Sequence, residues 1–300
     1  MNVFDRIEAA IDRPVSALRR RYRRFDHLWR ALIRYNEVLG GRLAAAMAYY
    51  GFFAVFALGL VGYWIFAAVL EQNDAVNHAV SGFLEQHLPF LDPVEIQQGS
   101  GRVGAIGLVL LAFTGIGWVE AIRTSQRLIY GFEQHPGYIV IRQLLDLAVL
   151  VFLFVLLGVS IGAVDALESL LAWMLGARSL GASISSWILS QLVNMVIAAA
   201  LLAVVPRLRM SARRLLAPVL VVSLGITLLN SVGRYYVMRW ERNPAYTVVA
   251  GAVGVLLYLY LLNQLLLFGA ALAATSRHGR VVDLADRNAT PPPPPGGPPR

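Results

Sequence analysis

The chain has 300 residues, 57% hydrophobic and 15% charged, with a net charge of +8 and a mean hydropathy of +0.60. Soluble domains carry about 25% charged residues, so this is not an ordinary soluble domain. The absence of cysteine excludes disulfides, thiolate metal sites and a cysteine nucleophile.

The first 42 residues carry ten arginines. In "VSALRRRYRRFDHLWRALIRYNEVLGGR", apolar residues fall at Val15, Leu18, Tyr22, Phe25, Trp29 and Leu32, in alternating steps of three and four. That spacing predicts a helix with one apolar stripe. Arg19, Arg20, Arg21, Arg23, Arg24, Arg30 and Arg34 lie mostly off it. Two readings stand: a topology signal with a solvated charged face, or a helix lying in the headgroup plane with arginines on anionic lipid. RNA binding by "RRRYRR" is disfavoured, because no recognition module surrounds it.

Leu43–Leu70 follows, 28 residues without a charge. As a helix it would be about 42 Å long, more than a ~30 Å hydrocarbon layer requires, so it tilts or keeps its first turns on protein. It is also too long for a signal-peptide core and is expected to remain as an anchor. Five further runs predict spans at roughly 103–120, 144–164, 185–205, 214–233 and 247–274. The runs are continuous rather than alternating, which favours helices over barrel strands. The connection 71–102 is acidic, and Val76, Val80, Phe83 and Leu88 suggest a short amphipathic helix capping the outer face. Residues 165–184 are expected to rest Leu167, Leu170, Leu171 and Trp173 on the interface. The Pro-rich end, "TPPPPPGGPPR", cannot pack a core and is expected to be disordered.

All 26 basic residues are arginine, a usage bias rather than a functional signature. Allotted to alternate sides of six spans, 21 fall with the termini and five opposite. An arginine excess marks the cytoplasmic side. The expected fold is therefore all-α: a polytopic six-helix membrane bundle with both termini cytoplasmic. It divides into an arginine-rich segment (1–42), a transmembrane domain (43–275) and a disordered tail (276–300).

Motifs of metalloproteases, serine hydrolases, P-loops and dinucleotide folds are missing. The five histidines are scattered without metal-ligand spacing. No enzyme activity, metal or cofactor is expected. What remains is polar residues in the spans, where they are costly and often functional. Asp146, Gln191, Asn194, Asn230, Asn263 and Gln264 either line a cavity or hydrogen-bond helix to helix. Asp146 is expected to pair with Arg142, four residues before it. On the arginine-poor side, Arg234, Arg239 and Arg242 sit among Tyr235, Tyr236, Trp240 and Tyr246. They read as aromatic-belt anchors or as contacts for an anionic headgroup. Gly40, Ala44 and Ala48 recur every four residues, a small-residue seam. It would place Tyr49 and Tyr50 at the inner edge of a packed seam or cavity, with Gly107, Gly115 and Gly117 as the matching surface.

These residues resemble the YihY/BrkB family of membrane proteins. "AAAMAYYGFFAVFALGL" (Ala44–Leu60) is similar to the family's first helix. "VVPRLRMSARRLLAPVLVVSLG" resembles its last inner loop, and "GAVGVLLYLYLLNQLLLFGAALAA" its last helix, with Gly269-Ala270 near the end. The chain departs at Ala57, where the family usually has proline, and at Ala271, where it often has an acid. The resemblance implies six helices, an inner-membrane location and a role in envelope integrity, with movement of a lipid or lipopolysaccharide precursor suspected. The expected partners are membrane lipids and one anionic amphiphile, not nucleic acid; the oligomeric state is unspecified. The alternative is a non-transporting scaffold for envelope assembly. A ribonuclease label attached to some members finds no metal ligands here.

Overall fold

The structure, a computed structural model, describes residues 19, 21–72, 93–175, 180–240 and 244–285. Seven helices run through the described residues: α1 (Arg23–Glu37), α2 (Gly40–Gln72), α3 (Pro93–Tyr130), α4 (Ile139–Leu175), α5 (Leu180–Ala199), α6 (Ala212–Trp240) and α7 (Pro244–Ala274). α5 continues into a π-helical turn, Ala200–Val204, and two short strands, β1 (Leu208–Arg209) and β2 (Val282–Asp283), pair antiparallel. α2 to α7 are long and apolar enough to cross a membrane, so the fold is an all-α polytopic membrane protein. Each spanning helix packs on the next, α7 returns to α2, and α3 meets α7 across the ring.

Several helices outrun their apolar runs. The second, expected to stop near residue 120, continues to Tyr130, which makes Arg123 and Arg127 helical rather than loop residues. It ends where Gly131 takes φ 76°. There the amide of Phe132 reaches the carbonyl of Arg127 (3.0 Å) and that of Gly131 reaches Leu128 (3.1 Å), a left-handed turn that only glycine adopts freely. Residues 93–102 and 165–175, expected as connections, are helical too. Val76, Val80, Phe83 and Leu88 lie outside the described residues, as do Val15, Leu18 and the Pro-rich end.

The face of α2 toward α3 and α7 is built from small residues. Ala44, Ala48, Gly51, Ala54 and Ala57 are all buried there with the larger Met47, while Gly40 is buried against Tyr35 of α1. On α3, a Cβ added at Gly107 would stand 3.2 Å from the backbone nitrogen of Val61 on α2. Helices without large side chains at the contact approach closely and gain dispersion contacts. Tyr50 lies against Gly117, and Tyr49 points outward, 58% exposed, with its ring 5.0 Å from Phe53. Tyr49 therefore lies outside the seam. Gly115 faces Leu150 of α4 rather than α2.

α1 has three faces. Ala31 is buried and Arg34, Tyr35 and Val38 are half-buried toward the bundle. The Arg34 guanidinium donates to the carbonyls of Ile129 (2.9 Å) and Leu128 (3.2 Å), so this arginine caps α3 instead of facing lipid. A second face exposes Tyr22, Leu28, Leu32 and Ile33. The third is charged, with Asp26 held between Arg19 (2.9 Å) and Arg30 (3.1 Å). The hydrogen bond from Arg19 holds the Asp26 carboxyl below its usual range.

The C-terminal end of α7 presents carbonyls that no further helical turn can satisfy. Thr275 donates to Ala271, the ring of His27 on α1 bonds Leu272 (2.9 Å), and Arg214 of α6 donates to Ala273 (2.6 Å) and Ala274 (2.8 Å). Arg214 is thereby a helix cap and not a free loop charge. Residues 276–285, expected in the disordered tail, instead turn back so that β2 pairs with β1 and Leu284 donates to the carbonyl of Arg207.

Candidate functional site

The polar groups of this end converge on the turn between the π-helix and β1. Leu201 lacks a backbone donor because its partner five residues on is Pro206, which has no N–H. The fully buried Gln126 of α3 supplies one instead, its amide donating to the Leu201 carbonyl at 3.0 Å. The next residue, Arg207, takes φ 59°, a left-handed conformation unusual for a residue with a Cβ. It is held there by its own contacts: its guanidinium donates to Asp146 (2.6 Å) and to the carbonyl of Arg142 (3.2 Å).

Asp146 is the hub. Arg123 grips it with two parallel bonds of 3.0 and 3.1 Å, and the side chains of Arg123 and Asp146 are 0% and 1% exposed. The expected partner was Arg142; the observed partners come from α3 and the π-turn loop, 23 and 61 residues away in sequence. Arg142 lends Arg207 its backbone carbonyl, while its side chain faces Glu120 at 3.7 Å. A second buried fork joins Arg127 to Asp283 at 2.9 and 2.5 Å, tying the C-terminal segment to α3. Bidentate arginine–carboxylate pairs of this kind combine energy with geometry. The cluster as a whole sets Arg123, Arg127, Arg142 and Arg207 against Glu120, Asp146 and Asp283, an excess of one arginine among the described residues. Burial pushes the Arg207 guanidinium below its ordinary pKa, with Asp146 opposing and the other three arginines adding to the shift.

Beside the cluster lies a cavity of about 680 Å³. Ile141, Leu145, Val149 and Phe152 of α4 form one wall, Ala203 and Val204 of the π-turn another, and Leu208 and Leu284 the floor. Arg142 and Arg207 are the charged residues of its lining. Ile141, Leu145, Phe152 and Val204 are exposed on the outside of the bundle, so the cavity opens sideways.

The other sequence-derived candidates do not gather here. Gln191 donates to Ser223 (2.8 Å) and accepts from Thr227 (2.8 Å), and Asn194 donates to Thr227 (3.1 Å), all between α5 and α6. Asn230 accepts from Tyr258 of α7 at 2.6 Å. Asn263 is buried with its Nδ2 unpaired among the described residues, and Gln264 is half-buried. None of these residues lines the cavity. The side chains of Arg234 and Arg239, on the last turns of α6, and Arg242 altogether lie outside the described residues. Sequence reasoning missed Glu120, Arg123, Gln126, Arg127 and Asp283 as site residues. The steps of three and four between Glu120, Arg123 and Arg127 were a legible signal that the helix continues with its charges on one face.

No solved structure matches the chain. It is 24% identical to inner membrane protein YhjD of Escherichia coli K12, over 84% of this chain and 81% of the relative. It is also 23% identical to an uncharacterized protein of Dickeya dadantii, over 83% of each. The family described as virulence factor BrkB matches residues 31–293. With that match spanning nearly all of the bundle and its C-terminal segment, the chain belongs to the BrkB family.

Proposed function

We propose that the protein resides in the bacterial inner membrane with both termini cytoplasmic, and that it moves or organises an anionic amphiphile without catalysing a reaction on it. The observation that carries this reading is the sideways-open cavity, apolar along its walls and headed by Arg142 and Arg207. A lipid could enter from the bilayer without its chain leaving an apolar medium, while its anionic group meets a cluster with one more arginine than carboxylate among the described residues. The name of the Escherichia coli relative supports the location.

The experiment is reconstitution of the purified chain into liposomes holding labelled anionic and zwitterionic lipids, with and without a proton gradient. Faster transbilayer movement of the anionic lipid than in protein-free vesicles is expected, and R207Q should slow it. Equal rates would refute movement. A second reading, a scaffold that transports nothing, is favoured by the pairing of Gln191, Asn194 and Asn230 across helices instead of along a hydrated path. In that case the liposome rates stay at background, and R207Q rescues whatever envelope defect a deletion strain shows as well as the native chain does.

A further inference from the structure

Two kinds of ion pair coexist in the cluster. Asp146 is held tightly, at 2.6 to 3.1 Å, by side chains with almost no exposure. Glu120 is held loosely: Arg123 lies at 3.5 Å, His135 at 3.6 Å and Arg142 at 3.7 Å, and the glutamate is 32% exposed. The Arg142 side chain is 10% exposed, its residue lines the cavity, and its buried Nε has no hydrogen-bond partner among the described residues. A buried guanidinium nitrogen without an acceptor is costly. Here it is closed off from solvent on a residue that lines an apolar cavity, in a cluster whose arginines outnumber its carboxylates among the described residues.

We propose that the cavity is a binding site for a phosphate-bearing amphiphile, whose phosphate takes the Arg142 Nε and displaces Glu120 as its counter-ion while its hydrocarbon chain lies on Leu145, Val149 and Phe152. The glutamate is a weak internal competitor. Its exposure lets it swing outward, and it makes one long hydrogen bond, from Arg123 at 3.5 Å, while His135 and Arg142 lie beyond bonding range. A tetrahedral phosphate, with three strong acceptor oxygens and more charge, reaches more of them at once. Arg207 stays on Asp146 and lends its charge without releasing its hydrogen bonds. The proposal rests on the anionic-amphiphile reading above and names the chemistry of the ligand.

The test measures equilibrium binding of dodecyl phosphate, dodecanoate and inorganic phosphate to the full chain in zwitterionic nanodiscs. Dodecyl phosphate should bind the native protein, bind E120Q about tenfold tighter, and bind R142Q at least about tenfold more weakly. E120Q is the decisive variant, because a merely structural glutamate would weaken binding when neutralised. Unchanged or weaker binding by E120Q, or unchanged binding by R142Q in a folded protein, overturns the site. Dodecanoate bound as tightly overturns the phosphate class, and inorganic phosphate bound as tightly overturns the role of the chain. Binding that follows the expected order without transbilayer movement in liposomes would sink transport and leave the site standing; movement without binding would do the reverse.

Discussion

Asp146 shows how much one side chain can hold together. It joins α4 to α3 through Arg123 and to the π-turn loop through Arg207, at almost complete burial. Removing its charge leaves two guanidiniums facing each other in the interior, a change that costs about 3–5 kcal/mol when one partner of a buried pair is lost. D146N should therefore lower the midpoint of thermal unfolding in detergent sharply. Asn194→Leu, which removes one bond between α5 and α6, should cost about 0.6–2 kcal/mol; comparable losses from the two would refute the ranking. The residue itself was conspicuous in the sequence as an acid inside an apolar run. Its partners were not, because local spacing pointed to Arg142 and the true pairing crosses helix boundaries that no periodicity reveals.

The helices owe their packing to what is left off them. At Gly107 the atom an added Cβ would strike first is Cβ of Leu60 at 3.0 Å, with the Val61 backbone at 3.2 Å, whereas at Gly59 nothing lies within 4 Å. Gly107→Val should push α2 from α3 and cost about 1–3 kcal/mol. Gly59→Ala should be neutral or mildly stabilising, since alanine is the better helix former. Unfolding of the two variants side by side tests the seam. α1 carries a second consequence at this scale. Its exposed face of Tyr22, Leu28, Leu32 and Ile33, flanked by arginines, suits the headgroup boundary of an anionic leaflet. The chain has no cysteine, so a single cysteine at Leu32 can carry an environment-sensitive dye. Its emission should shift to the blue in anionic vesicles while a dye at Arg30 stays in water; identical spectra would place the face elsewhere. The 3,4 spacing made a stripe legible here, but the docked face, with His27 and Arg34 as caps, was hidden because their acceptors are carbonyls near residues 128 and 272.

For the molecule as a whole, continuous apolar runs made six spanning helices readable, because the bilayer leaves few alternatives for satisfying a backbone. What the runs concealed was their ends. The charges counted as loop arginines at 123, 127, 207 and 214 are partly or wholly internal, so the arginines at this end serve packing. The segment 276–285 was assigned to the tail because hydropathy does not register a single buried pair, Arg127 with Asp283. Orientation is testable on the intact protein. With single cysteines at Asn36 and His278 in sealed spheroplasts, an impermeant maleimide should label neither until the membrane is opened. Labelling of either in sealed cells would invert the topology.

The caps on α7 also constrain how the molecule can be made. His27 belongs to the earliest described helix and Leu272 to the last turn of the final one, 245 residues later. Whatever the order in which the spans enter the bilayer, Arg34 can tie the leading helix to α3 early, but its His27 latch waits until the closing helix has emerged from the ribosome. A chain terminated before α7 would leave α1 held by α3 alone, with the grip of His27 unclaimed.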